Sequence, residues 1–229
     1  MIVSHKHKFI FLKTHKTGGT SLQIALSAQC GVDDIISRLH PDDTNDLIRA
    51  NGKGEQNTIV PFKYYNKRDW FQFILRGRRQ HYSEHIDVNY LKRWIERDVW
   101  DTYYKFCFER NPFEKVLSYY YWRARGSKIS LEEFMEENLS QLSDMEIYTN
   151  KGTVIVDDIF QYENIDYAIN HLENKFGFSI PIKGIKAKTG YRKDRKPYNE
   201  VFTHYQLTQI AAAFKHEINN LYPELIKYL

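Results

Sequence analysis

Residues 16–21 read "KTGGTS": a lysine, two adjacent glycines and three hydroxyl side chains in one short run. Backbone N–H groups in a glycine turn, followed by the N-terminus of a helix, form a cradle for an anion. Gly18 and Gly19 let a phosphate approach the chain closely. Thr17, Thr20 and Ser21 add hydroxyl donors, and Lys16 adds a full positive charge. The pattern is not G-x-x-x-x-G-K-[ST], because the lysine precedes the glycines and no hydroxyl has a magnesium-binding place. A lysine on that side reaches a different part of the ligand. Taken alone, the run is also what a tight strand–helix turn looks like.

A second group lies in "ERNPFEKVLSYYYW", residues 109–122. An arginine at a strand end grips phosphate bidentately, which gives Arg110 a role, and Ser118 further on supplies a hydroxyl. Ser118, Trp122 and Arg125 share a helix face by their spacing. The competing reading is a structural arginine–carboxylate pair and a serine bonded to its own helix. A third group, "RGRRQHYSEHID" at residues 76–87, holds His81, Glu84 and His85, side chains suited to proton transfer near neutral pH. Each is equally readable as a surface residue of a polar loop. His15, beside Lys16, reads first as a loop residue and only then as a site residue.

These residues need elements to hold them. Residues 9–12 form an apolar run that reads as a buried strand, and residues 20–29 read as a helix stopped by Gly31. Asp87 caps a predicted helix through residues 88–100. Residues 103–109, "YYKFCFE", are a strand covered on both faces, with Pro112 opening the next helix. Ser130 and Glu133 form a capping box. "TVIVDDIF", residues 153–160, is a third strand, followed by a helix over 164–176. Thr203 caps a final helix over 204–221. Strands alternating with helices predict an α/β domain with a mainly parallel central sheet flanked by helices. Ligands of such sheets bind beyond the carboxyl ends of the strands, where both phosphate-type loops emerge.

The totals exclude several classes. The 229 residues are 42% hydrophobic and 27% charged, a composition suited to one well-packed domain, residues 1–229, rather than disorder. No repeat, linker, apolar leader or membrane-length run is visible, so the expected location is cytoplasmic. Two cysteines, Cys30 and Cys107, make neither a disulfide framework nor a zinc site. The net charge is +4, but seven lysines and arginines fall in residues 183–196 against the single acid Asp194. A solvated loop or an anionic ligand explains that excess equally well.

Taken in order, "KTGGTSL" and "RNPFEKVLSYYY" resemble the two nucleotide motifs of the sulfotransferase family, in its carbohydrate-type and bacterial branch. "DIFQYENIDYAINHL" resembles the region after that family's third core strand, and "RKPYNEVFTHYQLTQIAAAFKHEINNLYPEL" resembles the end of its bacterial and carbohydrate-type members. Residues 33–75 show little resemblance. The likeness implies a P-loop-like sulfotransferase fold and 3′-phosphoadenosine 5′-phosphosulfate (PAPS) as sulfuryl donor, with no metal required. It implies that Lys16 contacts the bridging oxygen and that residues 17–21 cradle the 5′-phosphate. Arg110 and Ser118 would hold the 3′-phosphate, with Arg192 over it. Two departures stand out. His15 replaces a common proline, and Leu22 stands where small-molecule members carry an aromatic for adenine, which points to the carbohydrate branch.

The family places a catalytic histidine in the region of the third group. His81 is therefore the expected general base, with His85 and Glu84 next. The expected acceptor is a hydroxyl, of a carbohydrate by resemblance and an acidic one by the charge of Arg76, Arg78 and Arg79. Nucleic acid is not expected as a partner. The competing functions are a P-loop kinase of unusual sequence and a non-catalytic polyanion-binding protein using the two basic segments.

Overall fold

The computed structural model describes residues 1–39, 45–126, 128–185 and 196–229. A five-stranded sheet runs through its centre, built from β1 (Ile2–Ser4), β2 (Phe9–Phe11), β3 (Ile35–Ile36), β4 (Tyr104–Glu109) and, later in the chain, β7 (Asp158–Gln161). Strand order is β3-β1-β2-β4-β7. The predicted parallel sheet is realised in β2, β4 and β7, while β1 and β3 extend it as antiparallel strands. β1 and β3 are three and two residues long, too short for an alternation to show in sequence. The remaining strands, β5 (Thr149–Asn150) and β6 (Thr153–Val154), form a separate hairpin. Its turn carries Lys151 and Gly152 at φ 50° and 79°, the left-handed pair that such two-residue turns require. That turn corrects the strand predicted over 153–160: Thr153 and Val154 pair back on β5, and the main sheet receives only Asp158 onward.

The helices are α1 (Gly19–Ser27), α2 (Asn45–Asn51), α3 (Lys67–Arg76), α4 (Val88–Trp94), α5 (Arg97–Thr102), α6 (Pro112–Arg123), α7 (Leu131–Asn138), α8 (Met145–Tyr148), α9 (Ile165–Phe176), α10 (Tyr198–Val201), α11 (His204–Ala213) and α12 (Lys215–Leu221). The predicted caps are present: Asp87 accepts from the Asn89 N–H, and Ser130–Glu133 and Thr203–Gln206 are reciprocal boxes. Two long predicted helices are broken. Ile95 turns extended, at φ −124° and ψ 167°, and buries its side chain between α4 and α5. Phe214, fully buried, breaks the last helix into α11 and α12. In both places tertiary burial of one large side chain overrides helix continuity.

Alternation along the strands separates two cores. Phe9, Phe11, Phe106 and Phe108 pack on one face with Leu22, Ala25 and Leu172 of α1 and α9. Ile10 and Cys107 pack on the other with Leu91, Val99 and Trp100 of α4 and α5. Coverage of both faces explains the uninterrupted apolar strands. A third cluster joins α6 and α7 to α11 and α12. Among the described residues, no helix is long and apolar enough to cross a membrane.

Candidate functional site

β2 and β4 are adjacent and parallel, in the register Phe9–Tyr104, Ile10–Lys105 and Phe11–Phe106, so their carboxyl ends open side by side. The chain beyond β2 stays tied to β4. The Leu12 N–H donates to the Phe106 carbonyl at 2.9 Å, and the Thr14 hydroxyl donates to the Phe108 carbonyl. Thr14 and Thr17 share a hydroxyl hydrogen bond of 2.9 Å. Lys16 then takes a left-handed backbone at φ 61°, a conformation uncommon for a side chain of this kind. Its ammonium lies 5.6 Å from the Tyr119 ring centroid and 5.3 Å from that of Trp122, both on α6.

Gly18, at φ 69°, is the N-cap of α1. No side chain caps this helix, and no acidic residue sits in its first turn. Opening N–H groups left without a side-chain cap carry the positive end of the helix dipole. A Cβ on Gly18 would stand 2.7 Å from Tyr162 Cε2, and one on Gly19 would stand 2.8 Å from Lys13 Cγ. Thr17, Thr20 and Ser21 are buried at this turn. Leu22 is packed in the core.

Arg110 leaves β4 towards the same loop, and its Nη1 donates to the Lys16 carbonyl at 3.3 Å. Its guanidinium lies 5.2 Å from the Tyr162 ring centroid and 3.5 Å from the Glu114 carboxylate, while its Nε is buried without a hydrogen-bond partner. Asn111 caps α6 by accepting from the Phe113 and Glu114 N–H groups, and its own N–H donates to Glu163 at 2.9 Å. Ser118, half-buried, lies one helical turn before Trp122. The parallel strands β2, β4 and β7 thus each deliver a piece of the site: Lys16, Arg110 and Tyr162. Tyr162 was visible to the same strand-end rule that singled out the first two loops. Arg192 lies outside the described residues.

The histidines divide sharply. His81 is exposed, its backbone forms an isolated bridge with Ile59, and among the described residues its side chain makes no hydrogen bond, ion pair or ring contact with residues 13–21. His85 does reach that loop. Its Nδ1 lies 2.8 Å from the Lys13 carbonyl, which can only accept, so Nδ1 carries the proton and Nε2 holds a lone pair. Burial, reinforced by His15 and Lys13, pushes the His85 pKa down to about 3. The ring is therefore neutral at physiological pH. Glu84 is ion-paired with Lys13, and its carboxylate stands 3.8 Å from His85 Nε2.

His15 stacks on His85 at 3.6 Å between centroids and 16° between planes. Its Nδ1 and its backbone N–H both donate to Asp144, at 2.5 and 2.7 Å. Below them, Lys115 is fully buried between Asp144, at 2.7 Å, and Glu109, at 2.8 Å. Burial alone would raise the Asp144 pKa, but the Lys115 ammonium and His15 hold it well below the carboxylate range. Burial pushes the Glu109 carboxyl up to about 7 against the pull of Lys115, with Asp144 adding to the rise. The same two carboxylates overcome burial and raise the Lys115 pKa. Asp144 lies in no motif, and Lys115, though inside "RNPFEKVLSYYY", has no role that the resemblance implies.

The sulfotransferase family model matches residues 1–179, most of the chain. The chain belongs to the sulfotransferase family. An uncharacterized protein of Archaeoglobus fulgidus is 34% identical to it over 94 residues, 38% of this chain and 78% of that protein. No solved structure matches. The family match supports an enzyme that transfers sulfate, with a hydroxyl-bearing acceptor in general. Lys16, His85, Arg110, Ser118, Asp144 and Tyr162 all lie inside the matched sulfotransferase region.

Proposed function

We propose that this sulfotransferase moves a sulfuryl group from PAPS to a carbohydrate hydroxyl, with His85 as base in place of His81. The observation that carries the reading is the hydrogen bond between Arg110 and the Lys16 carbonyl, which joins the two anion-type loops at one strand edge. Three features suit a nucleotide with phosphate at both ends of its ribose. The α1 terminus lacks a side-chain cap, Gly18 leaves no room for a Cβ, and Arg110 Nε is buried without a partner. When bound, PAPS supplies an activated sulfuryl group and departs as adenosine 3′,5′-bisphosphate.

The residues then divide the work. Residues 17–21 hold the 5′-phosphate, while Arg110 and Ser118 hold the 3′-phosphate. Lys16, with its ammonium over two aromatic faces, meets the charge that grows on the leaving oxygen. It thereby stabilises the transition state more than the ground state. His85 accepts the acceptor's proton at Nε2, the nitrogen its bond to the Lys13 carbonyl leaves with a lone pair. The burial that keeps the ring neutral also makes it a weaker base, so the bound donor and acceptor must raise its pKa for transfer. Glu84, engaged with Lys13, orients the neighbouring charge instead of acting as base.

Isothermal titration of adenosine 3′,5′-bisphosphate without magnesium tests the donor site, and labelled PAPS with a glycan panel tests transfer. Lys16→Ala is expected to keep bisphosphate affinity within about tenfold while transfer falls by about 10²–10³. Absence of bisphosphate binding by the wild-type chain would end the reading. Magnesium-dependent ATP turnover would move the chain to the kinase alternative.

A further inference from the structure

α3 presents an outer face unlike the rest of the surface. Phe71, Ile74 and Leu75 are 65, 79 and 66% exposed, and Trp70 beside them is 40% exposed. The spacing puts these four on adjoining turns of one side of the helix. The helix itself is firmly built. Asn66 and Asp69 form its capping box, and Gly77 at φ 63° ends it. Its inner side is pinned by a 3.0 Å ion pair from Asp69 to Arg93 and by Phe73 against the core. Phe62 stacks on Trp70 and lies under the Arg79 guanidinium, so the aromatic edge is ordered too. A rigid helix therefore holds a contiguous apolar patch outward.

Cations border that patch: Lys67 and Arg68 fall on the same side of the helix by their spacing, and Arg78 and Arg79 follow just after its end, all four exposed. The nearby acids are committed elsewhere, Asp69 to Arg93 on the inner side and Glu96 to Lys63. We infer that α3 seats the enzyme on an anionic lipid surface, with Phe71, Ile74 and Leu75 entering the headgroup–acyl boundary and the cations meeting lipid phosphates. Large apolar side chains flanked by lysine and arginine on one face are what an interfacial helix requires. A second copy of the chain is disfavoured, because a symmetric contact through this patch would bring two groups of like charges together. A soluble polyanion would satisfy the cations and leave the apolar side chains in water.

The test is sedimentation of the 229-residue chain with phosphatidylcholine vesicles and with mixed phosphatidylcholine–phosphatidylserine vesicles, alongside sedimentation velocity without lipid. Binding is expected to the mixed vesicles only and to weaken at high salt, with each neutralised cation costing about fivefold. The triple variant Phe71→Ser, Ile74→Ser, Leu75→Ser, on exposed positions, is expected to lower the partition coefficient at least tenfold with an unchanged circular dichroism spectrum. Lys67→Gln with Arg68→Gln and Arg78→Gln should lower it by about a hundredfold. Bisphosphate titration of both variants should match wild type, which separates this surface from the donor site. Wild-type protein that ignores both vesicles, vesicle binding untouched by the triple variant, or a dimer abolished by the triple variant without lipid binding would each overturn the inference.

Discussion

Substituting His85 by glutamine offers the sharpest check on how the site is built, because its effect must change with pH. In the folded chain burial pushes this imidazole's pKa down to about 3, from 6.5 when unfolded. Between those values the unfolded chain binds the extra proton, so stability rises with pH and is lost as pH falls through the unfolded value. At pH 7 the penalty is a few tenths of a kcal/mol. At pH 5 the unfolded histidine is almost fully protonated while the folded one is not, and the penalty grows to about 2 kcal/mol at ~1.4 kcal/mol per pH unit. With a urea slope near 2 kcal/mol per molar, wild type should lose about 1 M in midpoint from this group between pH 7 and pH 5. His85→Gln removes the titrating group, so its midpoint should fall by about 1 M less over the same interval. Urea melts of both proteins at the two pH values supply the double difference. A difference below about 0.3 M would refute the burial that holds His85 neutral down to acid pH, and with it the enclosed setting described for this ring. In the transfer assay the same variant should lose about 10²–10⁴ in turnover, the range for removal of a general base.

Two further outcomes follow from the surroundings of the loops. Gly18→Ala forces a side chain into the left-handed region against Tyr162, and should cost about 1–2 kcal/mol in urea melts. Bisphosphate affinity should fall about tenfold, and a second change, Tyr162→Ala, should return part of the stability. Lys115→Met strands Glu109 and Asp144 as buried carboxylates without their cation, a loss of about 3–5 kcal/mol by denaturation. A loss under about 1 kcal/mol would show that Lys115 does not balance them.

What could be read from residue order alone was the part carried by local chemistry. Lys16, the glycines and Arg110 announced themselves because strand, turn and helix start are short-range patterns, and the structure brings their loops together. Asp87, Ser130 and Thr203 marked helix starts correctly for the same reason. Long-range burial escaped. Nothing near Ile95 or Phe214 in sequence says that the core would take them and break a helix. His85 and His81 are indistinguishable until the Lys13 carbonyl and the His15 ring are in place around one of them. The Lys115 cluster draws on β4, α6 and the segment leading into α8, so no single window of sequence contains it.

The ladder between β2 and β4 acts as a gauge as well as a support. Phe11 opposite Phe106 fixes how far along the sheet each loop starts. Sliding β2 by a single residue would carry Lys16 about 3.3 Å past Arg110 and turn Phe9 and Phe11 to the wrong face, away from Phe106 and Phe108. A nucleotide held between the two loops as proposed would no longer span the interval. The distance between the two loops is thus set by four buried aromatic rings, and, with the donor site as proposed, a core substitution that loosens their alignment would surface as a loss of bisphosphate affinity.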